Sequence, residues 1–171
     1  MQKEIPMKSH WSVITVIVCC LAFPLLQCNQ QQSVSDTGAD ESAFRSINNS
    51  WFQAYNAGDV DAIVALYAED AVVSAPGAPA ARGHAAIREL LTNDVTGAKA
   101  AAVSLKEGST SDVGVSGDLG WEWGTFTVVD ESGTTVDSGK YVSVFARRDG
   151  KWLIIRDIWN SDTPNQMPEM E

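Results

Sequence analysis

Apolar residues at Phe44, Ile47, Trp51, Ala54 and Tyr55 recur three or four positions apart, which sets them on one face of a helix. Gly58 stops that helix and Asp59 can cap a second, whose apolar face is Val60, Ile63, Val64 and Tyr67. Ala71–Gly77 reads as a short strand that breaks into a Pro/Gly loop. Gly83–Asp94 predicts a third helix with Ile87, Leu90 and Leu91 turned inward. Beyond it the period changes to two, and four strands are predicted: Ala100–Glu107, Leu119–Val129, Gly139–Arg148 and Lys151–Asn160. Asp149-Gly150 is a tight-hairpin signal, and Asp130–Gly133 marks another turn. Three helices followed by an antiparallel meander is an α+β layout. To bury the helices' apolar faces the sheet must curl over them, making a cone with a cavity at its mouth.

The ends of the chain have a different texture. Lys3 and Lys8 precede an apolar run from Trp11 to Leu26, the basic start and short apolar core of a secretory signal. The run is short for a bilayer span and ends in Pro24 and polar residues. The organisation expected is a signal over 1–27, a flexible polar linker over 28–39, the folded domain over 40–162 and a polar tail over 163–171. "LLQC", Leu25 to Cys28, resembles the lipobox of bacterial lipoproteins, with Gln27 where that motif has a small residue. The resemblance implies lipidation of Cys28 and a periplasmic or outer-envelope location; the other reading is an ordinary cleaved signal with an idle thiol. Cys19 and Cys20 lie inside the apolar run and leave with it, so Cys28 stands alone and no internal disulfide is expected. The formal net charge of -10 argues against nucleic acid, which needs Lys and Arg to neutralise phosphates. It leaves the N-terminal lipid as the expected membrane contact.

"WFQAYNAGDVDAIVALYAEDAVVSAPG" followed by "GHAAIREL", with the closing W-x6-W-N-S-D, resembles the nuclear transport factor 2-like superfamily. Its SnoaL-like and ketosteroid isomerase-like groups are the most similar, and the resemblance covers almost all of the domain. It implies the same α+β cone. Ketosteroid isomerases use a tyrosine of the first helix, an aspartate after the first strand and a carboxylic acid on a later strand. Here those positions fall on Trp51, Ala75 and Tyr141 or Val142. An alanine takes no proton, so that activity is not carried over.

The resemblance also bears on Asp157, a carboxylate in the middle of a strand otherwise rich in aliphatic and aromatic residues. Leu153, Ile155, Asp157 and Trp159 share one face, and Trp152, Ile154, Arg156 and Ile158 the other. Both faces are apolar. The family register implies that Ile155, Asp157 and Trp159 line the cavity, leaving Trp152, Ile154 and Ile158 on an outer face that pairs in a homodimer. If Trp121, Trp123 and Lys140 also face inward, the pocket joins aromatic walls to one carboxylate and one ammonium, with Trp51, Tyr55 and Tyr67 covering it from the helices. Asp157 and Lys140 are then the catalytic candidates, and Trp51, Tyr55, Tyr67, Trp121, Trp123 and Trp159 the substrate-binding ones. Burial would raise the pKa of Asp157, and an approaching Lys140 would lower it. A structural ion pair is the plainer reading of both. His84 opens the third helix and reads as a first-turn residue; no cluster has metal-ligand spacing, no phosphate loop follows a strand, and no cofactor is expected. The functional expectation is a small apolar or aromatic ligand, with cofactor-free isomerase, cyclase or hydratase chemistry at Asp157. The alternatives are a purely ligand-binding module and a protein-interaction domain of the cell envelope.

Overall fold

A computed structural model describes residues 37–163, with the side chains of 37 and 109–111 left aside. Cys28, the signal, most of the linker and most of the polar tail lie outside the described residues. In chain order the elements are α1 (Thr37–Ala57), α2 (Val60–Val64), β1 (Tyr67–Ser74), β2 (Ala81–Arg82), α3 (Gly83–Ala100), β3 (Val103–Ser116), β4 (Leu119–Asp130), β5 (Thr135–Arg148) and β6 (Lys151–Ser161). Three helices pack on a curved six-stranded sheet of order β2-β1-β6-β5-β4-β3. From β6 to β3 it is the expected antiparallel meander, but β1 runs parallel to β6, so the sheet is mixed.

Local chemistry explains the boundaries. Gly58 takes φ +77 after α1, and Asp59 caps α2 by accepting from the Ala62 amide at 2.9 Å. The second helix is shorter than its apolar spacing suggests. Tyr67 opens β1, because the Ile154 amide of β6 donates to Leu66 O at 2.9 Å and draws the chain into the sheet. In the other direction, the alanines around Lys99 extend α3 to Ala100, where a strand was expected; alanine is the best helix former, and β3 begins only after Ala102 turns to φ 53. Asp149 and Gly150 both adopt positive φ, as a two-residue β5–β6 hairpin requires.

The core fills one end of the space between helices and sheet. Phe44 of α1 stacks on Phe145 of β5 with centroids 4.3 Å apart and meets the edge of Trp152 at 4.9 Å. Ile63, Ile87, Leu91, Val73 and Ile154 complete it. Asp40, in the first turn of α1, is buried and accepts from the Trp152 indole at 2.8 Å and from Arg147 at 2.7 Å, which ties the helix start to the far hairpin. One turn beyond Ile47 along α1, the packing gives way to a cavity.

Candidate functional site

The phase of β6 is set by an irregularity that the amino-acid pattern does not announce. Val144 pairs with Arg156 and Phe145 with Ile154, so Ile155 is an extra residue in β6, a bulge. Before it, Trp152 and Ile154 face inward; after it, Asp157 does. The inward assignment of Asp157 and Trp159 therefore coincides with the structure, whereas Ile155, expected with them, is the bulged residue and does not line the cavity. The placing of Trp152 and Ile154 on the outer face does not, because both are buried in the core.

Asp157 is 7 % exposed and lies on the wall of a cavity of about 440 Å³. Tyr67 Oη donates to its Oδ2 at 2.6 Å and Ser143 Oγ to its Oδ1 at 3.0 Å. Trp51 Nε1 donates to the phenol oxygen of Tyr67 at 2.9 Å. Loss of solvent raises the Asp157 pKa above the ordinary carboxylate value, and the donations from Tyr67, Ser143 and the Ile158 amide pull against it. Burial and the neighbouring aspartate raise the Tyr67 phenol well above its usual value, so it remains a hydrogen-bond donor.

A second acid, Asp94, lines the same cavity. Tyr55, stacked on Trp51 with centroids 5.2 Å apart, donates to Asp94 Oδ2 at 3.0 Å. Asp94 is raised by desolvation, with Tyr55 opposing. Its side of the cavity is open to water. A third, Asp137, accepts from Ser161 and Thr163 and is held below the usual carboxylate value by those bonds. Asn48, Phe126, Tyr141 and Trp159 add to the lining.

Several expected members are elsewhere. Lys140 pairs with Asp162 on the outside of β5 and does not approach Asp157. Trp121 and Trp123 also sit on the outer face, opposite Val144 and Val142 in the ladder, with Trp121 44 % exposed. The inward residues of β4 and β5 are instead Gly120, Glu122 and Gly124, and Tyr141, Ser143 and Phe145. Tyr67 is placed behind the wall as the partner of Asp157 rather than on its surface. Trp51, Tyr55 and Trp159 do line the cavity. Ser143, Asp94 and Asp137 were missed. Ser143 shares the Tyr141–Phe145 face of a readable strand, so choosing that parity would have found it.

The raised Asp157 pKa has a sign that can be tested. A carboxyl raised on folding contributes stability when protonated, fully present below the unfolded value and lost as pH rises through the folded one. Tyr67 on β1 and Tyr141 on β5 are the titratable groups coupled to it, and both are neutral across that window. Chemical denaturation of Asp157→Asn and the parent should therefore show the variant gaining relative stability from pH 4 to pH 8. A flat difference would mean that Asp157 is not desolvated.

Residues 49–155 match the SnoaL-like domain family, and the chain belongs to it. No curated protein matches it significantly. Among solved structures it is similar to a nuclear transport factor 2-like protein with a cystatin-like fold from Novosphingobium aromaticivorans, at 22% identity and TM-score 0.67 over 76% of this chain and 86% of that one. A nuclear transport factor 2-like protein of unknown function from Pseudomonas putida gives 20% identity and TM-score 0.65 over 78% and 97%. A ketosteroid isomerase-like protein from Erwinia carotovora atroseptica gives 18% identity and TM-score 0.55 over 72% and 96%. At these identities the likeness is one of fold.

Proposed function

We propose that this SnoaL-like domain binds a small apolar or aromatic molecule in its cavity and exchanges a proton with it through Asp157. The observation that carries the reading is a buried carboxyl, oriented by Tyr67 and Ser143, on the wall of an aromatic cavity of about 440 Å³. Burial raises its pKa above the ordinary carboxylate value, the direction that suits a group that gives and takes a proton. The class of chemistry, isomerase, cyclase or hydratase, is taken by analogy from the SnoaL-like family. Pure binding without chemistry is the second reading, favoured by the fact that both oxygens of Asp157 already accept bonds from the protein. The full chain, purified from its producing cells, should carry a small molecule identifiable by mass spectrometry. Asp157→Asn should retain the molecule but not convert it. A bare cavity in both proteins, with Asp157→Asn altering stability alone, would end the proposal. The same sample reads the proposed export, since a lipidated Cys28 gives the mature N-terminus the mass of a diacylglyceryl group.

A separate observation supports pairing of two copies. Trp121, Trp123, Val142, Val144 and Ile158 adjoin on the outer face of β4, β5 and β6, where Ile158 is 53 % exposed. An apolar patch crossing three adjoining strands is what a sheet-to-sheet dimer needs. Light scattering should give a dimer for the parent and a folded monomer for Trp121→Glu combined with Ile158→Glu; a monomeric parent refutes the pairing.

A further inference from the structure

We propose that the cavity selects a protonated amine, an ammonium group carried on a compact aromatic or aliphatic body. This rests on the cavity being a small-molecule site and specifies what it takes. The argument is one of hydrogen-bond direction. Around the cavity most of the hydroxyl hydrogens are already spent within the protein. Ser143 gives its hydroxyl hydrogen to Asp157, Tyr55 gives its own to Asp94, and Ser161 gives its own to Asp137. Trp51 donates to Tyr67, and Tyr67, behind the wall, donates to Asp157. Asn48 donates to the Tyr141 oxygen at 3.2 Å. What remains open toward the cavity is mainly oxygen lone pairs. Asn93 and Ser104 toward the edge, the Trp159 indole N–H and the second Asn48 amide hydrogen are the lining donors outside this pattern.

Charge points the same way. Asp94, Asp137 and Asp157 line the cavity, and among the described residues no lysine, arginine or histidine does. Two nearby cations are directed elsewhere: Lys140 pairs with Asp162, and Lys99 lies in a separate small crevice beside Asn56 and Gly58. An ammonium group has donors and no acceptor, so it complements such a wall, whereas a carboxylate or phosphate meets three acids and few donors. The stacked faces of Trp51 and Tyr55, with Trp159, offer ring faces that attract a cation. The net charge of -10 favours the approach of a cation from solution.

Three soluble probes of nearly one shape separate the possibilities: phenethylammonium, 2-phenylethanol and 3-phenylpropionate, titrated calorimetrically into the protein at neutral pH. The ammonium should bind about tenfold more tightly than the alcohol, and the alcohol more tightly than the carboxylate. Asp94→Asn and Asp157→Asn should each cut the ammonium-to-alcohol ratio by about threefold or more while leaving the alcohol's affinity in place. A ratio of one or below, or a preference that neither variant changes, overturns the inference and leaves the cavity as a site for neutral ligands. Failure of all three probes to bind at millimolar concentration overturns both the inference and the small-molecule reading beneath it.

Discussion

Asp157→Ala is expected to cost about 3 kcal/mol of stability, a loss that Asp157→Asn does not share, although both weaken the preference for an ammonium ligand. The alanine leaves the Tyr67 and Ser143 hydroxyls without their acceptor. Tyr67 is 1 % exposed and Ser143 3 %, so water reaches neither freely. An orphaned buried donor costs about 1–3 kcal/mol, and two are created at once. Removing a desolvated carboxyl returns part of that, which is why the estimate stays below the sum. Asparagine keeps an oxygen for Tyr67 and presents an amide to Ser143, whose hydroxyl can accept instead. It also has no charge to desolvate. The two substitutions should therefore move stability in opposite directions at neutral pH, as read by urea midpoints. If Asp157→Ala proved as stable as the parent, the bonds from Tyr67 and Ser143 would not be holding this wall together, and the geometry assigned to the site would be wrong.

That wall also shows what could and could not be read from the amino-acid order. The helix face Phe44, Ile47, Trp51, Tyr55 was legible, because every member is apolar and its period fits one element. The β5–β6 hairpin was legible from Asp149-Gly150. The inward face of the sheet was not. On β4 the large apolar residues, Trp121 and Trp123, point outward, and the inward positions hold Gly120, Glu122 and Gly124. A hydrophobic-inside rule therefore picks the wrong parity. The inversion has a cause: inward glycines make room for rings delivered from elsewhere, Phe44 over Gly120 and Tyr141 over Gly124. Glu122 is tolerated there beside the Tyr141 hydroxyl, 3.4 Å away. Lys140 fell to the same error, since β5 shares the parity of its partner strand. On β6 the bulge at Ile155 lets Ile154 and Asp157 face one interior although they are three apart, a spacing no strict period of two allows.

The glycine beneath Phe44 makes the second large effect. A Cβ at Gly120 would come within 2.3 Å of Phe44 Cζ and 2.5 Å of its Cε2. The ring has nowhere to retreat, because Phe145 lies parallel to it at 4.3 Å and the Trp152 edge closes it at 4.9 Å. Gly120→Ala should therefore cost about 2–3 kcal/mol, the usual penalty for overpacking a filled core, and lower the melting temperature by roughly 10 °C. Gly77→Ala is the control for backbone effects: it has φ +70 and open space around it, so its cost is about 1 kcal/mol of left-handed strain. Phe44→Leu removes the contacting ring atoms and loses part of the core on its own. Combined with Gly120→Ala, it should cost less than the sum of the two, because the clash is absent in the pair. Neither residue lines the cavity, so binding of any ligand per folded molecule should be unchanged in all three variants. Additive losses would show that Phe44 does not rest on Gly120, and the explanation offered for the inverted strand face would fall with it.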